Sequence, residues 1–452
     1  MGKCDLREGR VMSRGLLSDQ RDQRQRIATD ASASVAKANI SRIDAQGVAF
    51  APSAVRVDDA RMTRRTTGWR CILMLGTMGL GLPAAGQQTA AELGSVAEHL
   101  DAAEQVLQQG MRQGDDAMGL EWAAATLTLL NKAAERPAEA ALASQATNQL
   151  AAVSDPQFAV VHRLTSSAVM NGSEQAAEQA EDLDDSWLTA ESLAGIIWAA
   201  AMVEPEAYPA LVERARAAAA EDDWAIAQMK EPGIPETVNY AWVDLLEAHL
   251  EADDLDGLLQ TYEQASGPLI PATYCGEVVA RLLIAEQRTR AEHTLQDALG
   301  SLAESRRQYG GPADRADWAW ELATAEAGVA AAELLLGQVD EGTQRLSRIS
   351  LSEPVVVDGV AWQLVLGAES ASRIEGTDVE HFEQAMREVV DRAGPDVRYA
   401  AADNMAALAV VLDDPQWLAE AHELAEADLE ERLWLRLTLA EFLMRREAMA
   451  DR

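Results

Sequence analysis

Past Gln87, glycine and proline cut the chain at short intervals, and between the cuts apolar residues recur every three or four positions. An amphipathic helix needs that period to bury one face; a half-buried strand needs a period of two. Breaks fall near Gly110, Pro137, Pro156, Asn171-Gly172, Pro205, Pro232-Gly233, Pro268, Gly310-Gly311-Pro312, Pro354 and Gly394-Pro395. Helices of about 10 to 20 residues fill the gaps. Alanine, leucine and glutamate dominate and aromatic residues make up 5%, so intrinsic propensity also favours helix over strand. The expected fold class is all-α.

Residues 238–252 show the pattern in detail. Tyr240, Trp242, Leu245, Leu246, His249 and Leu250 form one stripe, while Asp244, Glu247 and Glu251 lie mostly outside it. An acidic turn and a second helix, Leu255 to Ala265, follow. Such a pair cannot cover both of its faces alone, so it must stack on the pairs before and after it.

Three segments carry a common spacing. The first runs Trp242, Leu245, His249, Tyr262, Ala265; the second Ala330, Gly337, Gly342, Leu346, Ile349, Pro354; a weaker third runs Asn404, Ala406, Leu408, Asp413, Glu420-Ala421. These segments resemble the tetratricopeptide repeat family in degenerate form, with units of unequal length. The resemblance implies a right-handed superhelical stack of antiparallel helix pairs, a TPR-like α-solenoid, over residues 87–452. It also implies an assembly platform that binds along helix faces. Tyr240, Asp244 and Glu247, with Asn404 further along, are the partner-binding positions expected on the first helices of the units.

The first 86 residues differ in charge: 14 Lys and Arg stand against 8 Asp and Glu, whereas the rest of the chain carries 24 against 66. Within them Met62 opens a bacterial secretory leader over 62–86. Arg64, Arg65 and Arg70 form the charged start, Cys71 to Leu82 the apolar segment, and Ala84-Ala85-Gly86 the small residues that signal peptidase requires. The apolar segment is too short to span roughly 30 Å of hydrocarbon, so cleavage before Gln87 and no stable membrane insertion afterwards are expected. Residues 1–61 show no helical or alternating period and read as a disordered or mis-annotated extension ahead of the true initiator. The longest later apolar run, Leu193 to Val203, reads as a buried helix. The expected location is periplasmic or secreted.

Chemistry-bearing motifs are sparse. His99, His162, His249, His293, His381 and His422 are scattered without zinc-ligand spacing, and neither a phosphate loop nor a nucleophile elbow is present. No metal and no cofactor is expected. Ala252-Asp253-Asp254-Leu255-Asp256-Gly257 approaches a calcium loop, but alanine stands at the first ligand position, and the same residues serve as an acidic turn with Asp253 or Asp254 capping the next helix. Cys275, alone past the leader, reads as a buried structural cysteine, and most tryptophans as wedges between helices.

The formal net charge of −36 excludes phosphate-backbone binding, since no basic stripe exists to release counterions. Clusters at Asp182 to Asp185, Glu221 to Asp223 and Asp253 to Asp256 suit either a cationic partner or solvated helix faces. The expected function is therefore a non-catalytic, exported scaffold for a peptide, protein or cell-envelope component. The alternative is a secreted α-helical carbohydrate-active enzyme, a lyase or glycosidase, using a carboxylate pair.

Overall fold

A computed structural model describes residues 93–113, 117–153, 156–229, 240–265, 269–309, 319–426 and 428–450, all within a unit spanning Asp59–Arg452. The expected extension 1–61 and leader 62–86 lie outside the described residues. In chain order the helices are α1 (Val96–Gln113), α2 (Ala117–Ala133), α3 (Pro137–Ala151), α4 (Pro156–Asn171), α5 (Ser173–Glu181), α6 (Ser186–Val203), α7 (Tyr208–Met229), α8 (Tyr240–Glu251) and α9 (Leu255–Gln264). A single turn, α10 (Ile270–Thr273), leads into α11 (Cys275–Ile284), α12 (Arg288–Tyr309), α13 (Ala319–Leu335), α14 (Val339–Ser347) and α15 (Pro354–Ala371). The remainder is α16 (Glu380–Arg392), α17 (Ala402–Leu412), α18 (Pro415–Ala425) and α19 (Leu429–Ala450). The described residues contain no strand, so the all-α expectation holds.

The helices sort into two kinds. The buried kind comprises α2, α4, α6, α8, α11, α13, α15, α17 and α19, each packed on the next. Between α8 and α11 the link is made by the Tyr274 hydroxyl donating to Glu247 and by Arg281 donating to the Leu250 carbonyl. Apart from scattered polar side chains, α6, α13 and α15 are mainly Ala, Val, Leu and Ile on every side; almost all residues of α13 and α15 are buried, as is the central stretch of α6 from Ala190 to Ala200. The helices between them show one apolar stripe. In α16 the buried residues are Phe382, Ala385, Met386 and Val389, one face of a helix, and the other face is charged. Burying each of the large members contributes roughly 1.5–3 kcal/mol. Phe382 fits because α15 has Gly367 opposite: a Cβ there would lie 2.1 Å from the Phe382 ring.

One corner geometry recurs at the turns that close helix pairs. Glu135, Asp253, Glu286, Gly337 and Asp413 all have φ between 54° and 82°. In each case the next residue donates its N–H to the carbonyl five positions back: Arg136 to Asn131, Asp254 to His249, Gln287 to Leu282, Gln338 to Glu333 and Asp414 to Ala409, at 2.7–3.0 Å. This is the Schellman closure, which satisfies carbonyls left over at a helix C-terminus. Short corners of this kind make the joined helices antiparallel, so alternate helices run the same way.

The last helix returns to the first. α19 packs on both α1 and α2, Arg436 of α19 donates to His99 of α1 at 3.0 Å, and the Trp122 and Trp434 rings lie 6.5 Å apart. A stack of helix pairs does not require its ends to touch; here they do.

The 18-residue helix α6 is long and apolar enough, by length and composition, to cross a membrane, which the run from Leu193 alone did not indicate. It packs against α4, α5, α7 and α8 within the bundle.

Candidate functional site

The site is built where α6, α7 and α8 meet. Asp185 caps α6 by accepting from the Leu188 N–H at 3.1 Å, which fixes the start of that helix. Glu191 follows in the second turn, 7% exposed, and accepts from the backbone N–H of Ala241 at the start of α8. A carboxyl at a helix N-terminus meets unpaired N–H groups and the positive end of the helix dipole. Asp244 and Glu247 are three residues apart and so share one face of α8. They are 3% and 2% exposed. Asp222 of α7 accepts from the Ser186 hydroxyl at 3.1 Å, and Asp223 from the Trp242 indole at 2.7 Å.

Glu247 is held by the Tyr274 hydroxyl at 2.7 Å, but Asp244 Oδ2 and Glu191 Oε1 are buried without any donor. None of Glu191, Asp222 and Asp244 forms an ion pair among the described residues. A desolvated carboxyl with no cation keeps its proton. Burial, with Asp222 next in effect, pushes Glu191 up to about 8 against the opposing pull of the Ala241 N–H. Burial, followed by the charges of Glu191 and Glu247, pushes Asp244 well above the usual carboxylate range. Asp222 is raised by burial, partly countered by the Ser186 bond. The Glu191 carboxyl therefore keeps its proton at neutral pH and can both donate and accept, beside an Asp244 whose pKa is raised by the same burial.

The expected binding residues are placed differently from an open helix face. Asp244 and Glu247 are buried because α8 sits among α6, α7, α9 and α11 and has no free side. Asn404 is fully buried on α17, donating to Asp358 at 2.9 Å and to Asp403 at 3.0 Å, and shares no hydrogen bond with the α8 group. Tyr240 begins α8; its side chain lies outside the described residues. Glu191 was not anticipated, and Asp222 was read only as part of the acidic cluster Glu221 to Asp223. The signal available was a lone carboxyl inside the apolar run of α6.

A second polar cluster lies beside this one. His249, on the apolar stripe of α8, is 1% exposed. Its Nε2 lies 2.8 Å from Thr261 Oγ1 and accepts from Arg216 at 3.2 Å, so Nδ1 carries the proton and donates to Asp254 Oδ2 at 3.1 Å. The Tyr208 hydroxyl is 2.5 Å from Nδ1. Hydroxyl, imidazole and carboxylate are spaced as in a nucleophilic triad. However, the Arg216 guanidinium covers both Thr261 Oγ1 and His249 Nε2, and Thr261 is fully buried. The cluster ties α7, α8 and α9 together. Burial lowers the His249 pKa, and its bond to His249 holds Asp254 at about 2.

No family model, curated protein or solved structure matches this chain. Function must be argued from the groups themselves. Among the described residues no three His, Cys, Asp or Glu side chains are arranged to hold a metal ion. The calcium-like loop is an acidic turn: Asp254 caps α9 through the Gly257 N–H at 2.9 Å and Asp253 pairs with Arg281 at 2.6 Å. Cys275 is buried, and burial raises its thiol pKa. Trp122, Trp198, Trp242, Trp320, Trp362, Trp417 and Trp434 are buried as wedges between helices, and Trp318 lies outside the described residues.

Proposed function

We propose that this chain is an exported, non-catalytic binding protein of degenerate tetratricopeptide-like helix pairs, working in the periplasm or outside the cell. Its partner is a peptide, protein or cell-envelope component, held through a cationic or donor-rich group that reaches the buried Glu191 and Asp244 carboxyls only when α6, α7 and α8 part, since α8 has no free side in the closed bundle. The observation carrying this reading is Asp244, buried on α8 with an oxygen that meets no donor. Orphaned buried acceptors cost about 1–3 kcal/mol each, a cost that a bound donor removes.

The test is calorimetric titration of the chain with a lysine-rich peptide and, in parallel, pull-down from a solubilised envelope fraction. Asp244→Asn and Glu191→Gln should each weaken capture about tenfold or more, as loss of a charge-assisted hydrogen bond would. Equal capture by wild type and both variants, or none by wild type, overturns the reading.

A second reading follows from Glu191 alone. A carboxyl held up to about 8 beside Asp222 and Asp244 has the protonation a general acid needs at neutral pH. Release of reducing or unsaturated ends from a polysaccharide panel, abolished by Glu191→Gln, would favour a secreted carbohydrate-active enzyme instead.

A further inference from the structure

The seam where the two ends of the helix array meet holds a cavity of ≈ 500 Å³ between α1, α18 and α19. That volume is in the range of small-molecule sites. Arg432 and Arg436, one helical turn apart on α19, face it together with His422 of α18 and the Gln105 and Gln109 amides of α1. In a chain this acidic, many arginines find carboxylates: Arg345 lies 2.6 Å from Glu333, and Arg281 2.6 Å from Asp253.

The two seam arginines do not. Neither makes an ion pair among the described residues, and Arg432 Nε is buried with no acceptor. Arg436 donates only to His99 Nδ1. His99 Nε2 lies 2.7 Å from the Leu93 carbonyl, so Nε2 carries the proton, Nδ1 is a lone pair, and the ring is neutral. Its pKa is lowered, chiefly by burial. Arg436 is thus solvated by a neutral ring and keeps its full charge toward the cavity. Glu423 and Glu426 stand exposed at the rim without reaching either guanidinium.

We propose that this cavity binds a small molecule through a carboxylate or phosphate group, with Arg432 and Arg436 clamping the oxyanion and Gln105 and Gln109 hydrogen-bonding the remainder. Guanidinium forks match planar and tetrahedral oxyanions alike. The ligand bridges α1 to α19, so it holds the first and last helices of the array together. His422, pushed down to about 4 by burial and then by Arg436 and His99, is the internal reporter. An anion in the cavity opposes the arginine charge and moves His422 upward.

The experiment titrates the full chain with citrate, succinate and inorganic phosphate, following heat, melting temperature and the His422 ring by NMR. Citrate or succinate saturating first identifies a carboxylate ligand; phosphate saturating first identifies a phosphorylated one. Either result supports the site if the melting temperature rises with ligand concentration and the His422 pKa rises. Arg432→Gln should weaken binding at least tenfold, and Glu423→Gln with Glu426→Gln, which removes repulsion at the rim, should tighten it. Should Arg432→Gln fold poorly, the rim variant and the His422 shift still decide. No heat, no change in melting temperature and no His422 shift with any of the three anions at ~10 mM, a concentration that would half-saturate even a very weak site, overturns the proposal. So does binding that Arg432→Gln leaves unchanged.

Discussion

Gly257→Ala should be among the most damaging small substitutions in the chain. Gly257 is the third residue of α9, and its N–H is the one that Asp254 caps. An added Cβ would lie 2.1 Å from Asp254 Oδ2 and 2.4 Å from His249 Cε1 and Nδ1. His249 has no room to yield, and the partly exposed Asp254 can yield only by giving up the cap and its bond to His249. Asp254 is held by the cap and by His249, and His249 is enclosed by Tyr208, Thr261 and Arg216.

Displacing Asp254 forfeits an N-cap worth about 1 kcal/mol. Displacing His249 leaves one or two buried polar groups unpaired at about 1–3 kcal/mol each. Alanine returns about 0.8–1.0 kcal/mol of helix propensity, so the net loss is roughly 2–4 kcal/mol. Equilibrium urea unfolding followed by far-UV ellipticity measures it. Gly300→Ala is the internal control, because Gly300 lies in the middle of α12 and a Cβ there meets nothing within 4 Å. That substitution should stabilise by about 0.5–1 kcal/mol. Equal stabilities for the two variants would show that the His249 cluster gives way at no cost, and the reasoning would fail.

Other expectations follow from the buried charges. Because Glu191 and Asp244 have raised folded-state pKa values, the folded state binds more protons than the unfolded chain; their contribution is full below the ordinary carboxylate range and is lost as pH rises, that of Glu191 toward about 8 and that of Asp244 through its own raised value. Asp244→Asn should therefore gain on wild type between pH 5 and pH 8 in urea midpoints; a constant difference between them would contradict the shift. His249 acts with the opposite sign: its lowered pKa gives stability present above about 6.5 and lost as pH falls, so His249→Gln should flatten the acid limb of the same curve. Arg345→Met, which strands the buried Glu333 and leaves the buried Glu326 only Arg306 as a cation, should cost about 3–5 kcal/mol in the same unfolding assay. Intact mass of the mature protein should place its first residue at Gln87, and peptides from Met12 to Arg61 would contradict initiation at Met62.

The helical fold was legible because periodicity is a local property. The pairs over 240–264, 319–347 and 402–425 are written in spacing that needs no tertiary information. The recurring corner was half hidden, since only Gly337 of its five left-handed residues is glycine and the others are Glu or Asp. Burial was harder to read. Asp244 and Glu247 lie off the apolar stripe of α8, which in a surface helix means solvent, but a helix with neighbours on every side has no solvent face. Glu191 likewise gained its significance only when the start of α8 was brought against it, a contact between segments far apart in sequence.

The meeting of α19 with α1 and α2 carries a consequence for how such a chain can vary. In an open array a unit gained or lost merely alters length, because each contacts only its neighbours. Here an inserted pair would have to widen the whole circuit, and a deleted one would pull Trp434 away from Trp122. Variation is therefore channelled into the loops, while the number of pairs is held fixed. Because α19 lies along α1, a new start cut at a corner such as Gly376, with residues 93 and 450 joined by a linker long enough to run back along α19, should give a chain that still folds.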